Sequence, residues 1–380
     1  MKVLILSQKI SDLHMDILTN ALPKKTEVTL ITGSKLERHA YIASPAHDPD
    51  SLISRLKCWY GYYSFVMKWA RRHRNERFDF IFATSNPPIN GYLGVKLKKI
   101  FNTKFFYMNW DLYPQVIETS MHGFVPACFS ACWRFVNNRI YPKINQMVTI
   151  GSVMAETLNA ELKKKIPVDI IPMFAEANRL KPVPKEENKF CQENDLTDKF
   201  VVLYSGKMGL GHNLELLLEA SKLTAENKDI VYLFIGHGQK YAYIENWIKE
   251  NKAENVRIMP LQSEEMFPYS MASGDIGFIS QEQNAAKCFM PAKTYDMMAC
   301  GMGIIAFSEG TDDLSKLVKQ EKIGVVVTQD NPQIVADIIL DWYQNRDTLK
   351  AYAENARRSA VEKFDVAPVT EKYRELFNKA

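Results

Sequence analysis

Long apolar runs, paired cysteines and a dominant charge are all missing from this 380-residue chain. No stretch of about 18 apolar residues occurs, because Lys57, Lys68 and Arg134 interrupt the greasiest segments, and this excludes a membrane-spanning helix. Met1-Lys2 leads straight into the strand-like Val3–Ser7 without the succession of a secretory leader, so the chain is expected in the cytoplasm. Six cysteines include no CxxC pair and no Cys/His cluster at zinc spacing, which argues against a disulfide scaffold and against a structural metal. With only 17 Gly and 17 Pro and no low-complexity tract, disordered and collagen-like classes are excluded as well.

What is present is ordinary soluble composition, 46% hydrophobic and 24% charged, long enough for two or three domains. The net charge of +4 hides an asymmetry. Residues 1–172 hold 23 Lys or Arg against 13 Asp or Glu, and the remainder 25 against 31, so a basic half is joined to an acidic one. A basic domain suits an anionic partner such as a phospholipid surface, a phosphorylated lipid or a nucleic acid.

Short apolar runs alternate with helical segments: 3–6, 28–32, 78–83, 105–108, 147–150 and 168–171, then again 200–204, 230–235, 256–259, 276–279, 304–306 and 323–327. Continuous apolar runs suit parallel strands covered on both faces, so the fold class is α/β with two Rossmann-like, doubly wound domains. The expected division is a first domain over 1–172, an interdomain connection over 173–199, a second domain over 200–364, and a C-terminal helix over 365–380 packing back on the first. The polar stretch 182–199 is expected to be exposed.

Three motifs in the second half carry chemistry. Tyr204-Ser-Gly-Lys-Met-Gly-Leu-Gly-His-Asn213 joins a strand to a helix. Its glycines let the backbone approach a ligand, the helix start offers free amides and Lys207 adds positive charge, a combination suited to a diphosphate or, read blandly, a tight turn. Phe234-Ile-Gly-His-Gly-Gln239 follows a strand in the same way, and Gly236 and Gly238 could admit a base or ribose beside the main chain. In Phe289-Met-Pro-Ala-Lys-Thr-Tyr-Asp296, Pro291 suits the first turn of a helix of about ten residues closed by Gly301. Lys293 and Asp296 share a face of it, matching a phosphate and a ribose diol or forming a surface salt bridge. In the first half, Tyr107-Met-Asn-Trp-Asp-Leu-Tyr-Pro114 places Asn109 and Asp111 just after a strand, where open α/β sheets put their ligands.

Residues 55–77 interleave Arg55, Lys57, Lys68, Arg71, Arg72, Arg74 and Arg77 with Trp59, Tyr60, Tyr62, Tyr63, Phe65 and Trp69. Basic residues with interfacial aromatics suit a helix lying on an anionic membrane, although sheet covering accounts for some of these rings. No nucleic-acid module accompanies them, so nucleic acid is not an expected partner. His47-Asp-Pro-Asp50 resembles the DxD pair that holds a divalent metal in another class of sugar transferase, but it lacks flanking strands and no metal is expected there.

The second-half motifs, in this order on a tandem Rossmann layout, resemble the family-4 retaining glycosyltransferases of the GT-B fold. The patterns YSGxMGxGHN, FIGxG, PxKxYxxMAxG and DLYP point to bacterial O-antigen and capsule enzymes of the fucosaminyltransferase-like group. The family's usual Glu, seven residues, Glu is replaced here by Cys288 and Asp296, and its double-glycine loop after the first strand by Ser7-Gln-Lys-Ile-Ser-Asp12. The resemblance implies two domains facing a central cleft. It also implies metal-independent, retaining transfer of a sugar from a nucleotide diphosphate, a uridine one, to a lipid-linked saccharide, with no cofactor. Peripheral attachment to the inner face of the plasma membrane is expected with it. Lys207, Lys293 and Asp111 are the expected catalytic residues. Gly206, Lys207, Met208, Gly209, Gly236, Gly238, Leu261, Lys293 and Asp296 are expected at the donor, and Lys9, Trp59, Arg71, Arg72 and Arg74 at the acceptor or membrane. A nucleotide-sugar 2-epimerase of the same fold and a non-catalytic transferase-like subunit are the alternatives.

Overall fold

A computed structural model describes residues 1–46, 52–120, 123–281 and 285–380. The His47–Asp50 motif lies outside the described residues. Strands are β1 (Lys2–Leu6), β2 (Glu27–Thr32), β3 (Ile42–Ala43), β4 (Phe80–Thr84), β5 (Lys104–Asn109), β6 (Gln146–Thr149), β7 (Val168–Ile170), β8 (Phe200–Lys207), β9 (Ile230–His237), β10 (Val256–Met259), β11 (Ile276–Ser280), β12 (Gly303–Phe307) and β13 (Gly324–Val327). Helices are α1 (Asp12–Ala21), α2 (Leu52–Arg72), α3 (Asn90–Phe101), α4 (Gln115–Ser120), α5 (Phe124–Ile140), α6 (Ser152–Ala160), α7 (Lys189–Glu193), α8 (Glu215–Leu223), α9 (Tyr241–Asn251), α10 (Phe267–Met271), α11 (Lys293–Ala299), α12 (Asp313–Glu321), α13 (Pro332–Gln344), α14 (Arg346–Ser359) and α15 (Val366–Phe377).

The strands form two parallel sheets, ordered β3-β2-β1-β4-β5-β6-β7 and β10-β9-β8-β11-β12-β13. Each is doubly wound: the order reverses beside β1 in one sheet and beside β8 in the other. All twelve expected strands occur, and the short edge strand β3 is an addition that the sequence pattern is too brief to show. Strand interiors are buried on both faces, as in β1 (Val3 to Leu6 at 0%) and β4, which is why they read as unbroken apolar runs.

The chain divides into two compact units, Met1–Pro172 with Cys288–Met290 and Ala367–Ala380, and Met173–Lys287 with Pro291–Val366. In the first, Phe377 of α15 packs against Phe80 and Phe82 of the sheet. In the second, residues 182–199 depart from the exposure expected of them. Asn188 caps α7 through Cys191 N–H, and Phe190, Cys191 and Leu196 are buried. The segment's few apolar residues are spaced to enter a core, although its composition reads as polar. α11 also differs, spanning seven residues rather than ten. Pro291 and Ala292 lead in through tight turns to Thr294 and Tyr295, and Gly301, at φ +70°, follows its C-cap.

Candidate functional site

In the second unit the ends of β8 and β9 and the start of α11 converge. The β8–β9 register continues through Gly206 opposite Gly236 and Lys207 opposite His237, so the strand pairing extends into the two glycine motifs. Gly206 has φ +126°, which a side chain rarely adopts. A Cβ placed on it would lie 3.5 Å from the Lys293 Nζ. Gly209 faces open space, with nothing within 4 Å of an added Cβ.

Gly236 and Gly238 have a packing role as well. An added Cβ would meet the Gly206 carbonyl oxygen at 1.8 Å and the Met208 carbonyl oxygen at 2.5 Å, so neither position admits a side chain against the first loop's backbone. Met208 is wholly buried and braced, its N–H donating to the His237 carbonyl at 2.7 Å and its carbonyl accepting from Lys240 N–H at 3.0 Å. The second glycine motif thus clamps the first.

Lys293 sits within this clamp. Its Nζ is buried without a hydrogen-bond partner and lies 3.7 Å from the centroid of the Tyr204 ring. A cation over a tyrosine face gains some attraction, but an ammonium out of water without an acceptor remains costly. Burial accordingly pushes its pKa down to about 7. The Tyr204 hydroxyl donates to the Lys207 carbonyl at 2.6 Å and stands 2.5 Å from His212 Nδ1. Since the hydroxyl has one proton and the carbonyl can only accept, Nδ1 must carry the proton toward Tyr204, which leaves Nε2 an acceptor. Burial first, then Lys293, Lys240 and Lys207, lower the His212 pKa to about 4, so the ring is neutral near pH 7. Lys240 is held by the His212 carbonyl and Glu215. Tyr204 and His212 are functional candidates that the sequence reading passed over. Their spacing eight apart was visible, but the third member, Lys293, is remote in sequence.

Asp296 lies three residues on from Lys293, and its carboxylate makes no hydrogen bond or ion pair among the described residues. Burial and the nearby Glu176 carboxylate push it up to about 7, against the opposing Arg179. Lys207 is exposed. Leu261 is exposed at 52%.

In the first unit, Asp111 forms an isolated antiparallel bridge with Phe289, while Leu112 N–H donates to the Cys288 carbonyl at 2.9 Å. Ser85 Oγ accepts from Trp110 N–H at 3.0 Å, fixing the turn after β5. Burial raises the Asp111 carboxyl to about 6. Lys9 is exposed, as are Arg71, Arg72 and Arg74. Trp59 is not a surface ring: it is 5% exposed and packs edge-on against Tyr113 and Trp133, because its face of α2 turns toward α5.

Residues 185–359 match the family model described as Glycosyl transferases group 1. A protein of Escherichia coli K12 named as the colanic acid biosynthesis glycosyl transferase WcaI is 23% identical over 46% of this chain and 44% of its own length. One of Pseudomonas aeruginosa named as the glycosyltransferase WbjE is 22% identical over 78% of this chain and 73% of its own. Among solved structures, Anabaena HepE in complex with UDP superposes over the whole of both chains with a TM-score of 0.73 at 17% identity. The chain therefore has the GT-B architecture of two parallel-sheet Rossmann-like domains.

Proposed function

We propose that this chain is a metal-independent, retaining glycosyltransferase of bacterial surface-polysaccharide assembly, moving a sugar from a uridine diphosphate to a lipid-linked saccharide. The observation that carries the donor half is the buried, unpartnered Lys293 ammonium beside Gly206. An anion with oxygens at that spot supplies the missing acceptors, and a diphosphate gaining charge as its sugar leaves gains most. HepE is crystallised with UDP and with UDP-glucose, which supports a uridine donor. In the reaction the bond from the anomeric carbon to the diphosphate oxygen breaks, and the acceptor oxygen bonds to the same face. Its proton passes to the leaving phosphate. Asp111 orients the acceptor hydroxyl or the sugar, Lys207 and Lys293 stabilise the diphosphate, and Asp296 receives the ribose hydroxyls.

Membrane attachment through the exposed Arg71, Arg72 and Arg74 belongs to the same reading. Each basic residue near an anionic surface contributes about 1 kcal/mol. Among the described residues no helix is long and apolar enough to cross a membrane. The test begins with thermal shift against a panel of nucleotide diphosphate sugars, since ligand at about 100 times Kd adds about 2.7 kcal/mol to the native state. The stabilising donor is then assayed with lipid-linked saccharides, with and without chelator, and the product's anomeric configuration is read by NMR. Absence of any stabilising nucleotide, or an inverted product, defeats the reading. Sedimentation with anionic vesicles, comparing the native chain with R71E/R72E/R74E at low and high salt, tests the attachment.

A further inference from the structure

In the first unit a groove of about 470 Å³ opens between α2, α3 and α5. Its lining is almost wholly apolar and includes Leu56, Trp59 and Tyr60 of α2, Tyr92 of α3, and Trp133 and Val136 of α5. Leu56, Tyr60, Tyr92 and Val136 remain exposed at 39%, 71%, 36% and 39%. That volume falls in the roughly 300–1,000 Å³ range of sites that enclose a small ligand. Exposed rings converging on one groove are unusual for a face meant only for water.

The charge around it is one-sided. α2 carries five Lys or Arg, α3 three and α5 two, and none of the three helices contains Asp or Glu. Among the described residues only Arg134 of these ten forms an ion pair, with Glu118 and Glu161. Arg55 and Lys57 are exposed on either side of Leu56 in sequence. Lys96 Nζ stands 4.5 Å from the Tyr92 ring centroid and donates to the Tyr63 hydroxyl at 2.7 Å. An apolar slot with exposed Arg55 and Lys57 beside Leu56, and Lys96 beside Tyr92, is complementary to one kind of molecule, a hydrocarbon chain with a phosphorylated head. A second copy of this basic surface would meet it with repulsion.

We propose that this groove seats the hydrocarbon chain of the phosphorylated lipid that carries the acceptor saccharide, with Arg55, Lys57 and Lys96 toward its phosphates. This rests on the lipid-linked acceptor of the proposed function. The groove then recognises the carrier one molecule at a time, a task distinct from holding the enzyme on a bilayer through Arg71, Arg72 and Arg74.

The two exposed cysteines of α5 provide the readout. Cys132 lines the groove and Cys128, one turn earlier, does not. The full chain, without vesicles, is alkylated with N-ethylmaleimide and each site is followed by mass spectrometry, using geranylgeranyl diphosphate below its micelle concentration and inorganic diphosphate as probes. The expected result is at least tenfold slower alkylation of Cys132 with the prenyl compound, unchanged Cys128, and no effect of inorganic diphosphate. Val136→Trp, which fills the slot from a partly exposed position, abolishes the protection while vesicle binding persists, and Tyr60→Asp does so without adding bulk. Equal protection of both cysteines, protection by inorganic diphosphate, or protection that grows with protein concentration alone overturns the proposal, the last indicating a second copy. Transfer to a lipid acceptor without Cys132 protection removes the groove assignment and leaves the proposed function. Protection without transfer to any lipid-linked saccharide does the reverse.

Discussion

The loops after β1 and after β8 occupy equivalent places, each following the strand beside which its sheet order reverses, yet they are built from opposite chemistry. After β1 the chain closes on itself. Ser7 Oγ donates to the Lys9 carbonyl at 3.0 Å and pairs with Thr84 Oγ1 at 2.8 Å, while Gln8 Nε2 donates to the Pro45 carbonyl at 3.0 Å. After β8 the chain is held open: Gly206 and Gly209 bear no side chain, and the buried Lys293 ammonium has no partner. The first loop leaves a neutral Gln8 Oε1 buried without a partner but spends its other named polar groups on the fold, whereas the second stores an unsatisfied cation. Under the proposed function, the glycine-rich turn with a stranded charge is the one that takes the anion.

The largest expected effect tests whether the β8 loop depends on its neighbour. Gly236→Ala puts a methyl where the Gly206 carbonyl already is, and no rotamer change can relieve a backbone clash. A loss of about 3 kcal/mol is expected in urea unfolding. Gly209→Ala, in the same loop but facing open space, should leave the unfolding midpoint nearly unchanged. Equal stability of the two variants breaks the account of the clamp.

Next is the charge. Lys293→Met removes the ammonium while keeping its apolar stem, so turnover should fall roughly 100-fold, in line with loss of one preorganised charge-stabilising donor. The ligand-free protein should become more stable at neutral pH and below, because a buried unpaired cation has been removed. Activity falling while Tm rises is the signature. A fall in both means Lys293 serves the fold instead.

The pH dependence follows from the same group. The unfolded Lys side chain titrates near about 10.4 and the folded one near 7, so between these values the unfolded chain holds the extra proton. From this group, ligand-free stability therefore rises with pH above about 7. Asp296 has the opposite sign: its folded carboxyl keeps a proton up to about 7, and stability from it is lost as pH rises from the unfolded value near about 4. A diphosphate needs the charged lysine, so UDP affinity should decline above about pH 7 with proton uptake on binding. Calorimetry in buffers of different ionisation enthalpy measures both, and Lys293→Arg should flatten the lysine's share. Asp296→Asn should weaken UDP binding and remove the carboxyl's share, whereas a merely superficial carboxylate would leave affinity as it was.

Much of this architecture was legible beforehand because a buried parallel strand needs apolar residues on both faces, and all twelve such runs are strands. The two Gly-rich turns and the Lys293–Asp296 pair could also be located. What stayed hidden depends on contacts between remote residues. The packing role of Gly236 shows only when the Gly206 carbonyl is seen against it, and Trp59, expected at the acceptor or membrane, reads as a surface ring until Trp133 of α5 is seen against it. Likewise, residues 182–199 have the composition of a linker, and only packing shows that Phe190 and Leu196 are core.

The smallest expected effect separates two lysines to which the sequence gives equal weight. Lys207 is exposed, whereas the Lys293 Nζ is buried. Two unit charges about 4 Å apart interact by roughly 1 kcal/mol in water and roughly 4 at the intermediate dielectric of a protein surface. Lys207→Ala should therefore reduce turnover by only about fivefold to tenfold. That loss should also be salt-dependent, because an exposed charge is screened within about 8 Å at physiological ionic strength and a buried one much less. The measurement is turnover of native, Lys207→Ala and Lys293→Met chains at 50 mM and 500 mM salt, after correcting for any salt effect on the native chain. The Lys207 deficit should shrink at high salt and the Lys293 deficit should persist. If both deficits are equal and respond alike to salt, Lys207 is drawn into the site when donor binds, and the contrast between an exposed and a buried cation no longer distinguishes their roles.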